Sequence, residues 1–351
     1  MKKDFDINQL VRENLKTLKP YSSARDEFKD AGNTSYVFLD ANENPFENGV
    51  NRYPDPQQRN LKAKLADLKG MSTSNLLLGN GSDEVLDLLF RAFCEPNRDN
   101  IITMPPTYGM YGVLAGINAV ENRKVPLDAN FQPNVDEILK QTDPKTRLIF
   151  LCSPNNPTGN SFSADSISSL LDAFDGLVII DEAYIDFSDK QSWIGRLAEY
   201  PNLVVTQTLS KAYGMAGIRL GLCFASEAII GILNKIKPPY NVNQLTQTRA
   251  FERITKGALI TSEIKNILSE RRLLREALSS ISFVKTVFNS DANFVLVRVD
   301  NADLRYDQLI EKGIVVRNRS KQQLCENTLR FTVGTPEENQ KLIATLKDLE
   351  P

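Results

Sequence analysis

Lys211 is the residue that points most directly to chemistry. It follows the apolar run NLVVTQTLS (202–210) and precedes a turn that contains glycines. A lysine is usually a solvated surface residue, but a lysine beside a buried cofactor has a lowered pKa and can form a Schiff base. The hydroxyl groups of Thr208 and Ser210, together with the guanidinium of Arg219, are suited to binding a phosphate.

Two further polar side chains stand at or after the ends of apolar runs. Asp181 ends LVIID (177–181), where a buried carboxylate is costly unless a cation or a strong donor pairs with it. It could cap the next element, pair with an arginine, or face a cationic ring nitrogen. Asn156 lies in SPNNPTGN (153–160), a segment typical of an ordinary loop. Beside the rigid Pro157, however, its amide is well placed to bind a ligand.

A Gly-Asn-Gly turn provides the fourth candidate. In LLLGNGSDEVLDLLFRAF (76–93) it leads Ser82 and Asp83 into an amphipathic helical pattern. Ser82 could be a plain N-cap. The same segment could bind an anion, because glycines allow close approach of the backbone and the first N–H groups of a helix have no intrahelical partner.

Strand-like and helical patterns alternate between about residues 60 and 235, and these elements must position the four candidates. Short apolar runs separated by helical patterns such as ADSISSLLDAF (164–174) predict an α/β fold with a mostly parallel central sheet covered by helices. In such sheets ligands bind beyond the carboxyl ends of the strands. The four candidates are therefore expected to converge on one crevice.

The pattern changes after Pro238 and Pro239. An amphipathic stretch, roughly 243–280, is followed by strand-like runs and a final helical pattern, which predicts a smaller α+β domain; the runs are 293–299, 313–318 and 329–334, and the last helix is near 336–349. The predicted division is an N-terminal arm or part of the small domain over 1–50, a large cofactor-binding domain over 51–237 and a small C-terminal domain over 238–351.

Composition excludes several functional classes. The chain has 351 residues, a formal net charge of −2 and no histidine, which argues against nucleic-acid or anionic-membrane partners and excludes imidazole mechanisms and histidine-ligated zinc. The four cysteines form no C-x-x-C pair, so no metal is expected. The N-terminus lacks a signal-peptide pattern, and no run of about 18 apolar residues occurs. We expect a cytoplasmic protein.

The motifs GSDE, SPNNPTG, IIDEAY and SKAYGMAGIRLG, in this order, resemble the fold-type-I aminotransferases that depend on pyridoxal 5'-phosphate. The 25 residues from Asn156 to Asp181 and the 30 from Asp181 to Lys211 match the spacing in that family. The resemblance covers nearly the whole chain through LKPYSSAR (18–25), LDANENPF (39–46), NRYPDP (51–56), VVRNRS and LRFTVGT. These outer motifs resemble members that interconvert histidinol phosphate and 2-oxoglutarate with imidazole-acetol phosphate and glutamate by a ping-pong mechanism.

The resemblance implies roles around the cofactor ring. Lys211 would hold the cofactor as an internal aldimine and then move a proton, and Asp181 would keep the pyridine nitrogen protonated. Asn156 and Tyr184 would bind the phenolic oxygen, and Tyr108 would stack on the ring.

The resemblance also implies binding sites for anions. The cofactor phosphate would be held by Ser82, Asp83, Thr208, Ser210 and Arg219, with Tyr53 reaching it from the neighbouring subunit of a homodimer.

The anionic groups of the substrates would bind to residues of a neighbouring set: Arg330, Arg317, Tyr21 and Asn44. Arg319 and Lys321 lie close enough along the chain to compete for the role of Arg317.

Three other interpretations stay open at this point. Threonine-phosphate decarboxylase resembles the same family and shares its lysine, aspartate and arginines, and aminotransferases for aromatic or other amino acids share its motifs. A cofactor-binding regulator fused to a helix-turn-helix is the third, but residues 1–50 are short and poor in basic helical pattern.

Overall fold

A seven-stranded sheet forms the centre of the computed structural model, which describes residues 5–23, 25 and 36–350. In chain order its strands are β1 (Leu76–Asn80), β2 (Asn100–Thr103), β3 (Glu121–Lys124), β4 (Thr146–Cys152), β5 (Leu177–Asp181), β6 (Leu203–Thr208) and β7 (Leu220–Ala225). They lie in the order β1-β7-β6-β5-β4-β2-β3. Only β7 runs against its neighbours. The predicted α/β fold with a mostly parallel sheet is confirmed.

Alternate side chains of the central strands pack into two different hydrophobic clusters. In β4, Ile149 and Leu151 face one cluster, whereas Leu148 and Phe150 face the other. Because both faces are covered, β4 and β5 contain continuous apolar runs, which is the pattern that made them recognisable in the sequence.

A second sheet is antiparallel. Its strands are β8 (Val284–Val287), β9 (Phe294–Val299), β10 (Arg317–Asn318) and β11 (Thr328–Thr332), in the order β10-β11-β9-β8. It has its own hydrophobic cluster, built from β9, β11 and the flanking helices. The smaller α+β part predicted for the C-terminal region is therefore present. The domain boundaries at residues 50 and 237 stay a prediction.

The helices of the described residues cover these sheets. They are α1 (Glu13–Lys16), α2 (Arg59–Lys69), α3 (Ser82–Phe93), α4 (Met110–Ile117), α5 (Val135–Lys140), α6 (Ala164–Ala173), α7 (Glu227–Ile236), α8 (Gln244–Ile254), α9 (Gly257–Leu278), α10 (Ala302–Glu311) and α11 (Pro336–Asp348). Short 3₁₀ helices span Ile7–Gln9, Thr73–Asn75, Ile185–Phe187, Trp193–Arg196 and Ala216–Ile218. Within these described ranges, no helix is long and apolar enough to cross a membrane.

The described part of the N-terminal segment is anchored at its start. Ile7, Leu10, Val11 and Leu15 are buried and belong to one of the clusters of the large sheet. The segment from residue 36 to residue 58 contains neither helix nor strand, and several of its large apolar side chains are exposed. The predicted arm thus begins with a packed segment that the sequence did not indicate.

Candidate active site

A cavity of about 450 Å³ opens beyond the carboxyl ends of β4, β5 and β6. This is the position that an open α/β sheet gives to a ligand. Twelve of the predicted site residues line it: Ser82, Asp83, Tyr108, Asn156, Asp181, Tyr184, Thr208, Ser210, Lys211, Arg219, Arg317 and Arg330. The predicted convergence of the four sequence candidates on one crevice is therefore observed.

Asp181 is the most deeply buried acid of the cavity, with 3% exposure. Its Oδ2 accepts a hydrogen bond of 2.7 Å from the hydroxyl of Tyr111, and its Oδ1 accepts one of 3.1 Å from the backbone N–H of Ala183. No arginine pairs with it in the described part of the chain. Burial raises the pKa of Asp181, and a cation placed beside the carboxylate would favour its charged form.

An amide, a phenol and a guanidinium meet on the opposite wall. The side-chain N–H of Asn156 donates to the hydroxyl of Tyr184 over 3.4 Å, and Arg330 donates to Oδ1 of Asn156. The Tyr184 ring packs edge-on against Phe294 with centroids 5.2 Å apart. The amide of Asn156, on the loop after β4, is therefore held by Arg330 of β11. This contact joins the large sheet and the second sheet at the site.

Lys211 lies on the turn that follows β6, with its amine in the cavity, 5.7 Å from the centroid of the Tyr184 ring. Partial removal from water and the positive charge of Arg330 both lower the pKa of Lys211. A lowered pKa increases the fraction of neutral amine, which is the form that reacts with a carbonyl group and accepts a proton.

A compact backbone cradle surrounds the N-terminus of α3. The N-cap of α3 is Gly81, with φ of 81°, and Ser82 is the first residue of the helix. The interpretation of Ser82 as a plain N-cap is therefore wrong. A Cβ on Gly81 would lie 2.7 Å from Nη2 of Arg219. A Cβ on Gly221 would lie 2.3 Å from the backbone nitrogen of Ser82. The two glycines thus let Arg219 and β7 approach the unpaired N–H groups of the helix, which form an anion site.

Asp83 ties this cradle to the aromatic wall. It accepts a 3.0 Å hydrogen bond from the hydroxyl of Tyr108 and lies 3.5 Å from Nη2 of Arg219. Across the cradle, the hydroxyl of Thr208 accepts a 3.1 Å hydrogen bond from the backbone N–H of Ser210. The Thr208 hydroxyl itself donates to the carbonyl oxygen of Leu220 over 3.3 Å, so the donors that this end of the cavity offers to a phosphate are the Arg219 guanidinium and the first N–H groups of α3.

Three predicted residues do not line the cavity: Tyr21, Asn44 and Tyr53. Tyr21 is 74% exposed and Tyr53 is 52% exposed. Tyr53 stacks on Tyr240, with centroids 4.6 Å apart, and Asn44 caps its own turn by accepting a hydrogen bond from the backbone N–H of Phe46. Their predicted roles stay predictions.

The sequence reasoning missed several residues of the site. Tyr111 is fully buried and donates to Asp181. Arg319, considered only as a competitor of Arg317, lines the cavity together with Gln322. Asn155 is completely buried and holds the loop through the carbonyl oxygen of Pro106 and the hydroxyl of Thr158. The only available signal for Tyr111 was its position three residues after Tyr108, in the same MPPTYGMYG segment.

Comparison with known proteins defines the class. The family described as aminotransferase class I and II matches residues 25–346. The structure of histidinol-phosphate aminotransferase from Clostridium acetobutylicum superposes with a TM-score of 0.79 and 26% identity, covering 86% of this chain and 91% of that chain. The chain belongs to the class I and II aminotransferase family, and the resemblance predicted from the motifs is confirmed.

Its curated relatives are more specific. Histidinol-phosphate aminotransferase of Flavobacterium johnsoniae is 65% identical over 343 residues, 98% of both chains. The protein of the same name from Christiangramia forsetii is 61% identical over 348 residues, 99% of both chains. L-threonine-O-3-phosphate decarboxylase of Porphyromonas gingivalis shares the fold, with a TM-score of 0.72 at 23% identity over 85% of this chain and 90% of that chain.

Proposed function

We propose that this protein is an aminotransferase of histidine biosynthesis that uses pyridoxal 5'-phosphate. It interconverts histidinol phosphate and 2-oxoglutarate with imidazole-acetol phosphate and glutamate. The observation that carries this conclusion is its near-full-length similarity to histidinol-phosphate aminotransferases. The chemistry of the cavity agrees with it, because an amine, a buried carboxylate and an anion cradle lie at one sheet edge.

The residues of the cavity fit the cofactor. The cradle of Gly81, Ser82 and Arg219 offers backbone N–H groups and a guanidinium to its phosphate. Asp181 offers a buried carboxylate to its ring nitrogen, and a protonated ring nitrogen would stabilise the charged form of that carboxylate. Asn156 and Tyr184 offer an N–H and a phenol to its ring oxygen. When bound, the cofactor supplies an electron sink for the negative charge that develops at the substrate Cα.

Lys211 carries the proton transfer in this proposal. Its Nζ would accept the proton from the substrate Cα and would pass it to C4′ of the cofactor, a task suited to an amine whose pKa is lowered. The hydrogen bond from Tyr108 to Asp83 fixes the aromatic wall against which the flat ring would lie. Asp83 also lies beside Arg219 and so orients the phosphate donor.

Arg330 and Arg317 would bind the anionic groups of the two alternating substrates. They face each other across the β10–β11 ladder. Arg330 is anchored by Asn156, so its fork is oriented before a substrate arrives. Preorientation reduces the ordering cost of binding.

The proposal includes a homodimer in which Tyr53 reaches the partner's cofactor phosphate and Tyr21 and Asn44 complete the substrate pocket. Support comes from the exposed surface: Val37, Leu39 and Phe46 are between 79% and 87% exposed, as expected for a surface that meets a partner. A cytoplasmic location belongs to the same proposal. The four cysteines are free and buried, which suits a reducing compartment.

A single-turnover experiment tests the function. The cofactor-loaded protein is mixed with histidinol phosphate in the absence of a keto acid, and the products are quantified. We expect about one equivalent of imidazole-acetol phosphate per site, and addition of 2-oxoglutarate should then yield glutamate and restore the enzyme. Consumption of threonine phosphate with release of carbon dioxide, and no reaction with histidinol phosphate, would contradict the proposed substrate and reaction. The fold and the role of Lys211 in holding the cofactor would still stand.

A further inference from the structure

Three guanidinium groups share one wall of the cavity. Arg317 in β10 lies directly opposite Arg330 in β11, and opposite residues of a ladder point to the same face. Arg319 stands two residues after Arg317, and its backbone N–H continues the ladder by donating to the carbonyl oxygen of Thr328 over 2.9 Å. Residues two apart on an extended chain also share a face. All three arginines line the cavity.

These arginines have no acidic partner among the described residues. No carboxylate there forms an ion pair with any of the three, and the buried Nε atoms of Arg319 and Arg330 have no hydrogen-bond partner. Burial and the neighbouring guanidinium of Arg317 lower the pKa of Arg319. Burial and Arg319 lower the pKa of Arg330 to about 10. Cations held together at this cost are a site for an anion.

The charge of the described cavity wall exceeds what the cofactor needs. Lys211, Arg219 and the three arginines line it, against the carboxylates Asp83 and Asp181. Arg219 and the α3 N-terminus already serve the cofactor phosphate. Glutamate and 2-oxoglutarate have two separate carboxylates, each of which one guanidinium fork satisfies, whereas a phosphate has two charges and three terminal oxygen atoms in one group. With Arg317 and Arg330 available for the two carboxylates, Arg319 supplies a third fork that the concentrated charge of a phosphate can use.

We propose that Arg319 binds the phosphate of the amino donor and thereby determines the preference for a phosphorylated over an unphosphorylated substrate. This inference rests on the proposed function. It gives Arg319, which sequence reasoning treated only as a competitor of Arg317, a role of its own. Arg317 and Arg330 alone would serve the carboxylate substrates.

The test compares histidinol phosphate with histidinol, which differs only by the phosphate. We measure kcat and KM for both in the wild type, in Arg319→Gln and in Lys321→Gln, an exposed charge outside the cavity wall. Arg319→Gln should lower the ratio of the two kcat/KM values by about 10- to 100-fold, mainly through KM for histidinol phosphate, because charge-assisted hydrogen bonds to the phosphate are lost. Lys321→Gln should change the ratio less than about threefold, as expected for an exposed charge.

Two further measurements keep the test decisive. Calorimetric titration of the cofactor-free protein with histidinol phosphate should show a similar loss of affinity in Arg319→Gln. Arg319→Lys, which keeps the charge but not the fork, should lie between wild type and Arg319→Gln.

Either of two results would overturn the inference: an unchanged preference in Arg319→Gln, or an equal loss for histidinol phosphate, histidinol and glutamate. A wild type that does not act on histidinol phosphate would instead refute the proposed function itself.

Discussion

At the scale of single residues, the reactivity of Lys211 depends on its surroundings. Lys211 is an exposed residue whose amine lies in the cavity near Tyr184. Partial desolvation there and the positive charge of Arg330 lower its pKa. Asp181, behind it, is held by Tyr111 and by a backbone N–H. Burial thus raises the pKa of Asp181, whereas partial desolvation and the charge of Arg330 lower the pKa of Lys211.

Replacement of Lys211 by alanine tests the proton-transfer role. We expect Lys211→Ala to lower the rate of amino transfer by at least about 100- to 10,000-fold, the usual contribution of a positioned acid or base. The cofactor should still bind, because the cradle around α3 is unchanged. Rates are measured with histidinol phosphate and 2-oxoglutarate, and cofactor affinity by titration. Lys190→Ala, at an exposed lysine that pairs with Asp189, is the control and should keep full activity. A Lys211→Ala enzyme that turns over normally would disprove the assignment.

At the scale of elements, the approach of β7 to the start of α3 determines the phosphate cradle. Gly221 lies so close that a Cβ would stand 2.3 Å from the nitrogen of Ser82 and 2.4 Å from the carbonyl carbon of Gly81. Both contacts are with backbone, which cannot rotate away. The strand and the helix N-terminus therefore form one unit.

Gly221→Ala should push β7 away from the N-terminus of α3. We expect a loss of about 1–3 kcal/mol in the free energy of unfolding, typical of overpacking, and a cofactor affinity weaker by about 10-fold or more, because the N–H groups of α3 move. Urea unfolding and titration of the cofactor-free protein measure the two effects. Gly231→Ala, within α7 and with no atom within 4 Å of the added Cβ, is the control and should be neutral or slightly stabilising. Equal behaviour of the two variants would refute the role of the close approach.

Glu182 connects the ends of β5 and β6 to the following segment. It is 1% exposed and accepts hydrogen bonds from the hydroxyl of Ser192, the backbone N–H of Trp193 and the amide of Gln207. Burial outweighs these donors and raises the pKa of Glu182 from 4.5 to about 7. Glu182 therefore makes the free energy of unfolding of the protein sensitive to pH.

The sign of this sensitivity follows from linkage. Because the folded state holds the proton more tightly than the unfolded state, the contribution of Glu182 is fully present below pH 4.5 and is lost as the pH rises to about 7. A tenfold difference in proton affinity between the two states corresponds to about 1.4 kcal/mol.

Glu182→Gln should remove the loss of stability that Glu182 causes between pH 4.5 and about 7. The free energy of unfolding of the variant, relative to that of the wild type, should therefore rise over this pH range. Urea unfolding at several pH values measures it, and Glu326→Gln, at an exposed glutamate, is the control. A difference between Glu182→Gln and wild type that does not vary with pH would contradict the assignment.

At the scale of the whole molecule, three residues that were predicted to bind cofactor or substrate do not line the cavity of a single chain. Tyr21, Asn44 and Tyr53 are exposed and do not line it. Large apolar side chains of the segment from residue 36 to residue 58 are also exposed. A second copy of the chain that covers this surface would bury it and complete the sites.

Mixing two inactive variants tests shared sites. Tyr53→Ala keeps Lys211, and Lys211→Ala keeps Tyr53. If Tyr53 acts across the interface, a one-to-one mixture refolded together should regain about one quarter of the wild-type sites, because half of the dimers are mixed and each has one complete site. Activity at subsaturating cofactor and the mass by light scattering are measured. Activity no higher than the average of the two separate variants, or a monomeric mass, would contradict the proposal.

The sequence alone was sufficient for the sheet and for the chemistry at its edge. Uninterrupted apolar runs between helical patterns indicate buried strands, and the carboxyl ends of such strands meet, so Asn156, Asp181 and Lys211 were expected together and are found together. The strand that precedes Lys211 is predicted over 202–210 and spans Leu203–Thr208. Periodicity and turn residues contain this information because it is local.

Only the tertiary structure decided the contacts between distant segments. The hydrogen bond from Tyr111 to Asp181 spans 70 residues, and the one from Arg330 to Asn156 spans 174. Which face Arg319 shares with Arg330 depends on the register of the β10–β11 ladder. Strand order, register and helix packing determine such contacts together, and no local pattern in the chain encodes them. For that reason the sequence identified the principal reactive groups, whereas the fold determined their partners and their pKa values.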